Sequence, residues 1–387
     1  MTCMRRIIYL AILLVFIGVS TSTVFGVDVK FVKEIPLVSD KKPEGELQKV
    51  VDFCTTEDGI FLIPDYIAGN VKLYEQNGED LVFLKNVGSK GYDPGQLAKP
   101  AFCSFNKTEN KFIILDMGTR RIYFYDRFGR DEFVREKMDN GNEVYAKCPK
   151  GAYNIQLIGD KLLVAGHIVS DGDYYEFYSM DLNELRDNDS IEANHPKLFL
   201  KSREIYLIDK NKNFVEQVEE KRLAAIGVRN YFDIEGRFAY FVWMGNLRVT
   251  RVDTESGAKV GEPFGRTTGN YVPLKPSTEL VDAFYQMRGN RDARDKYFKE
   301  KRKFSTIRNL FTTSKYVIVT YEGPYKGGKS ENFQAQFYLL DGQFVAEVSF
   351  RGQPDSIMHF DRDKKVLYSL SKSEKGDYSV LVHKILE

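Results

Sequence analysis

Two stretches of the chain alternate apolar and polar positions in the same order. Short apolar runs, GIFLI (59–63) and KFIIL (111–115), each lead into an aspartate, Asp65 and Asp116. Runs of branched and aromatic residues bounded by Gly, Asn, Asp or Pro read as β-strands. Another such run precedes each, KVVDFC (49–54) and KPAFCSF (99–105). Aligned without a gap, Asp65 matches Asp116, Val71 matches Ile122, Leu73 matches Phe124, Tyr74 matches Tyr125 and Gly78 matches Gly129. EDLVFLKNV (79–87) and RDEFVREKM (130–138) follow. Each unit therefore reads strand, short turn, strand, turn, strand, Gly turn, strand.

Four short strands repeated at a period near 50 residues predict the blades of a β-propeller. Further second strands fall at 161–165, 236–243, 315–321 and 365–370, and third strands at 174–180, 247–252, 333–340 and 377–386. That makes six units, and the last lacks an outer strand. VDVKFVKEIPLV (27–38) alternates around Val29 and Phe31 and belongs to no other unit. The expected fold is all-β: a six-bladed β-propeller over 27–387, closed by the N-terminal strand, which removes free sheet edges. A seventh blade within 203–223 is the competing count, although that stretch holds one clear strand pattern. Between the fourth and fifth units, ELVDAFYQMRGNRDARDKYFKEKRKF (279–304) predicts a helical insertion, with Val281, Phe284 and Tyr285 at helical spacing and a break at Gly289-Asn290.

GSKGYDPGQLAKP (88–100) joins the first unit to the second. Its Gly and Pro residues predict a shaped loop rather than a loose linker. From Gly88 to Gly129 the chain resembles one repeat of the NHL family of propellers: a Gly-Gln lead into Pro, a strand ending in Asp, then Arg-Ile, an aromatic strand and Asp-x-x-Gly. Asp116 and Arg121 occupy the family's Asp and Arg positions and are expected as a structural repeat pair. Asn70 replaces the Arg in the first unit, and later units keep the pattern only loosely. The resemblance implies a divergent, secreted bacterial propeller and bears on fold far more than on activity.

Composition narrows the partners. Lys plus Arg number 56 against 55 Asp plus Glu, with no clustered positive excess to suggest nucleic acid. Arg5 and Arg6 precede an apolar stretch from Ile7 to Val19, then Ser20, Ser22 and Gly26, the order of a signal peptide over residues 1–26. The expected location is periplasmic or extracellular, with membrane anchoring if the leader stays uncut and no span in the mature chain. Cys54, Cys103 and Cys148 would remain in an oxidising compartment, an odd number, and Cys54 and Cys103 read as buried small hydrophobes. DLNELRDND (181–189) alternates oxygen donors but lacks the Gly of an EF-hand loop, so calcium is the only cofactor left open. No nucleophile elbow, zinc motif or phosphate loop is present, no catalytic residue is assigned, and no metal site is expected.

Strand polarity separates the two faces. First-to-second turns are short, whereas the long segments 202–223, 265–304 and 321–333 fall with the second-to-third turns and the inter-blade connections; 181–197 is the exception, on the opposite side. Insertions gathered on one face of a repeat fold mark the binding face. Arg120, His167, Trp243 and Tyr321 lie at or near second-to-third turns and form the expected ligand-contacting set. From Arg288 to Lys303 eight basic residues meet three acidic ones, as a basic lid or as a solvated helix. His359 falls on a channel-lining strand. The expected function is a non-enzymatic binding module for a protein, peptide or glycan, within an envelope complex in one version. A hydrolase or lyase with a metal in the central funnel is the alternative.

Overall fold

The computed structural model describes residues 26–38, 43–93, 96–107, 110–119, 121–126, 146–147, 154–158, 161–170, 173–181, 197–201, 230–243, 245, 247–274, 277–287, 289–325, 333–352, 356–373 and 376–386. The leader (1–25), Arg120, Cys148, most of the oxygen-rich run 181–189 and the stretch 203–223 lie outside the described residues.

The described chain is built almost entirely of strands. After β1 (Asp28–Val38) come β2 (Cys54–Thr55), β3 (Ile60–Asp65), β4 (Asn70–Asn77) and β5 (Asp80–Val87). A short parallel pair, β6 (Ser89–Lys90) with β7 (Gln96–Leu97), shapes the connecting loop. The second group is β8 (Pro100–Asn106), β9 (Lys111–Asp116), β10 (Arg121–Asp126) and β11 (Ala146–Lys147). The third is β12 (Asn154–Ile158), β13 (Lys161–Ser170), β14 (Asp173–Asp181) and β15 (Lys197–Lys201). The fourth is β16 (Asn230–Glu235), β17 (Phe238–Trp243) and β18 (Val249–Asp253), with bridges to Lys259 and Phe264 at its edge. The fifth is β19 (Thr306–Thr312), β20 (Tyr316–Glu322), β21 (Phe333–Leu339) and β22 (Phe344–Phe350). The last is β23 (Ile357–Asp361), β24 (Val366–Lys372) and β25 (Tyr378–Leu386).

Each group is an antiparallel meander. The innermost strands touch in cyclic order, β2 to β8, β12, β16, β19, β23 and back to β2. This is a propeller: small twisted sheets packed face to face around an axis. Both faces of a blade need cover, and only neighbouring blades supply it. Phe177, for example, packs its ring against Phe199 of its own blade and Phe232 and Phe241 of the next, with centroids 4.9–5.6 Å apart. The loop at 88–100 sits tightly on the first blade. Gly69 has φ +70°, and a side chain there would come within 2.7 Å of the Leu97 carbonyl.

β1 closes the ring as expected from its alternation. It pairs antiparallel with β25 from Asp28 opposite Leu386 to Pro36 opposite Ser379. It then pairs parallel with β5 through Leu37 and Val38. The two blades become one eight-stranded sheet. The register slips between Phe31 and Lys33. Such a slip moves side chains to the opposite face. Val29 accordingly packs with Phe311, Phe337 and Phe360, whereas Ile35 packs with Phe53, Phe61 and Tyr368.

The expected helical insertion is present as α1 (Thr278–Gln286) and α2 (Arg291–Lys301). The Ser277 side chain accepts from Leu280 N and the Asn290 side chain from Ala293 N, capping both N-termini. The break falls at Gly289, φ +78°, followed by the Asn290 cap. Among the described residues no helix is long and apolar enough to cross a membrane.

Ile35 is 1% exposed and Val32 52%. Ile35→Ala is expected to cost about 2–4 kcal/mol in urea unfolding and Val32→Ala less than about 0.5. Equal costs would mean that β1 does not carry the closure.

Candidate functional site

A cavity of about 330 Å³ runs along the axis and is lined by the inner strand of every blade. Every blade sets a polar side chain on this lining: Asp52 just ahead of β2, then Ser104, Gln156, Asp233, Asn309 and His359 from the other inner strands. Most of them stitch neighbouring blades together. Asp52 Oδ2 accepts from Cys103 N at 3.2 Å, Asn309 Nδ2 donates to Met358 O at 2.8 Å, and His359 Nε2 meets Thr55 Oγ1 at 3.0 Å.

Asp233 is the hub. Its carboxylate accepts from Thr312 N at 2.7 Å, Thr312 Oγ1 at 3.0 Å and Gln156 Nε2 at 3.3 Å, and pairs with the Arg362 guanidinium. It therefore binds the fourth blade to the third, fifth and sixth. At the mouth, Lys107 pairs with Asp363 and lies 3.8 Å from Glu57. The cavity reaches the short first-to-second turns, through Thr56, Glu57, Lys107 and Arg362 to Lys364. It thus opens towards the end opposite the long insertions.

Burial pushes His359 down to about 4, although Asp361 and Asp233 pull the other way. Its ring is neutral near pH 7. The Thr55–His359 pair resembles a nucleophile beside a base, but among the described residues no carboxylate accepts a hydrogen bond from the ring to orient it, as acyl-transfer chemistry requires. Among the described residues no three His, Cys, Asp or Glu side chains are placed to hold a metal ion. The axial groups are built as interior stitching.

The repeat aspartates have a defined job. Asp116, fully buried, accepts from Ala98 N (2.5 Å), Lys99 N (3.0 Å), Gly118 N (2.7 Å) and Thr119 N (3.0 Å). Asp65 does the same with Gln48, Lys49, Ile67 and Ala68. Each carboxylate pins a second-to-third turn to the segment entering the blade. Arg121 stands opposite Asp116 in the ladder and donates to Tyr92 O at 3.4 Å.

Of the expected ligand set, the structure describes the side chains of Trp243 and Tyr321. Arg120 lies outside the described residues, and His167 is described only as backbone in β13. Trp243, half-buried, ends β17 with its ring over Gly245, where a side chain would come within 2.4 Å of the indole. Tyr321 is fully buried, in the apolar cluster shared by the fourth and fifth blades. Its hydroxyl donates to Glu347 Oε2 at 2.7 Å. Glu347 also accepts from Gln336 (2.6 Å), Thr268 (2.8 Å) and Asn270 (3.0 Å). Burial alone would raise the Glu347 carboxyl, but these donors outweigh it and hold the acid below its ordinary value. Tyr321 thus helps to moor the segment that carries the helices.

That segment lies on the face with the second-to-third turns. Leu274 N donates to Gly245 O at 3.2 Å, in the turn of the fourth blade. Tyr325 N donates to Arg302 O at 2.9 Å, in the turn of the fifth, with the Arg302 guanidinium 4.9 Å from the Tyr325 ring centroid. Val272 and Ser305 close its base, through Ser305 N to Val272 O at 2.8 Å and Val272 N to Ser305 Oγ at 2.9 Å. α1 and α2 pack through Leu280, Val281, Ala283 and Tyr297. Outside, Tyr285 is 53% exposed and Phe298 45%. Lys299, Lys301 and Lys303 lie close by in sequence.

No protein-family model matches the chain. No curated protein matches it either. Solved structures do. A member of the DUF4221 family from Bacteroides vulgatus superposes with TM-score 0.59 at 10% identity, covering 93% of this chain and 99% of that one. A candidate exported protein from Bacteroides fragilis gives TM-score 0.56 at 12% identity, covering 96% and 98%. Likeness at such identity shows a shared fold over the whole length.

Two outcomes test the axis. Asp233→Ala removes the hub acceptor and leaves Arg362 only its weaker partners, Glu235 at 3.6 Å and Thr312 Oγ1 at 2.8 Å, and is expected to cost about 3 kcal/mol in urea unfolding; a cost below about 1 would contradict a hub role. His359 titrates near 4 in the folded protein against 6.5 when unfolded. Between those values the unfolded chain binds more protons, so stability falls as pH drops from 6.5 towards 4. His359→Gln should flatten that fall, and an imidazole NMR titration midpoint at 6 or above would refute the burial argument.

Proposed function

We propose that the chain is an exported, NHL-like propeller of six blades that binds a protein, peptide or glycan without catalysis, through the face carrying α1 and α2. The observation that carries this reading is the helical pair itself. It is tied to the turns of two blades, yet it keeps Tyr285 and Phe298 exposed, with Lys299 and Lys301 in the last turn of the helix that carries Phe298. Aromatic and basic residues on a rigid support are what partner surfaces concentrate. An insertion that only covered the rim would turn those rings inward, as it does Tyr297. The cyclic contact of six inner strands supports the blade count. The basic, apolar and small-residue order of the N-terminus supports export, and membership of an envelope complex follows from the same placement. The metal-dependent alternative needs converging ligands at the axis. There Asp233 is already committed to Arg362, Thr312 and Gln156.

Affinity capture from an envelope extract of the source cell tests the assignment. The Tyr285→Ser/Phe298→Ser pair should lose the partners that the native protein retains, with the thermal midpoint unchanged within about 2 °C. The same partners bound at the same yield would overturn it.

A further inference from the structure

We propose that Cys54 and Cys103 form an oxidisable pair whose disulfide staples the first blade to the second beside the axis. Cys54 lies on β2 opposite Leu62, and the Cys103 Sγ reaches the Leu62 carbonyl from the neighbouring blade at 3.5 Å. The two thiols are near enough to shift each other's ionisation. Both are buried in one apolar cluster with Leu62 and Ile114, and both line the axial cavity. The bond from Cys103 N to Asp52 fixes the spacing of the strands that carry them. A disulfide needs the two β-carbons roughly 3.5–4.5 Å apart, a spacing set by the backbones of the neighbouring strands β2 and β8, so that side-chain rotation has only to bring the two sulfurs together. The structure shows the reduced state, with both thiols free.

The chemistry balances with a disulfide-bearing oxidant such as oxidised glutathione. One thiol loses its proton and attacks the oxidant, releasing one glutathione thiolate and leaving a mixed disulfide. The second thiolate attacks that sulfur and releases the other glutathione. Two thiols are oxidised and one disulfide is reduced. Burial pushes both thiols up in the folded ring, which starves the reaction of thiolate. The bond is therefore made while the first two blades are assembling, before the ring shuts.

The full chain, unfolded in denaturant, is refolded with a glutathione redox couple, blocked with iodoacetamide and mapped by mass spectrometry without reduction. The peptides holding Cys54 and Cys103 should emerge joined, with a mass about 2 Da below the reduced pair. The thermal midpoint should rise by about 5 °C over the reduced protein. In Cys103→Ala both the joined peptide and the redox-dependent rise should vanish. Two alkylated thiols at Cys54 and Cys103, or either one joined to Cys148 instead, would overturn the proposal.

Discussion

Sheets that pack face to face share no backbone hydrogen bonds, so a ring of them is held by side chains except where a strand crosses from one blade to another. Among the described residues β1 is that strand. It gives β25 its outer neighbour, then runs on beside β5, and makes the first and last blades one sheet. Everything else about the molecule presupposes this closure. The axial cavity exists only if six inner strands face one another. The buried rings of Phe61 and Tyr368, at 5.1 Å, meet only if the ends of the chain meet. Once the ring is shut, the stitching from Asp52, Asp233, Asn309 and His359 fixes how the blades sit around the axis. Apolar packing alone would leave that arrangement free to slide.

The two ends of the propeller are chemically different. At the axis, polar groups satisfy one another across blade boundaries, and charge is neutralised where it enters, as at Arg362 and Lys107. Groups so arranged have little capacity left for a visiting molecule. On the opposite face, backbone hydrogen bonds anchor α1 and α2 at their bases, while Tyr285 and Phe298 stay exposed. The Glu347 network secures that anchorage by holding Thr268 and Asn270, the start of the segment. Rigid support beneath exposed aromatic side chains is the feature that the proposed recognition role draws on.

Much of the fold was legible in the sequence because its signals are local. The matched Asp65 and Asp116, the alternation of 27–38 and the Gly289-Asn290 break each depend on a few neighbouring residues. The structure finds the turn, the closing strand and the helix boundary there. The site was legible only in part. Proximity to a second-to-third turn drew attention to Tyr321, but whether its side chain faces solvent or the next blade depends on a neighbour that no pattern reveals. A usable signal for the axis did exist: each inner strand or its lead-in carries a polar residue amid apolar neighbours at a matching place, Asp52, Ser104, Gln156, Asp233, Asn309 and His359. One such strand looks like ordinary alternation, and the meaning appears only when six are laid side by side. The nearness of Cys54 to Cys103 is likewise a matter of adjoining blades.

The crossover strand also imposes an order in time. A ribosome makes residues 28–38 long before their antiparallel partner, 378–386. Until that partner is made, β1 can find only its two-residue parallel foothold beside β5. A strand with one apolar face and no long partner must therefore be kept from wrong partners until 378–386 arrive. A chain arrested a few dozen residues short could assemble blades but never lock them, so translation itself acts as the latch on the finished ring.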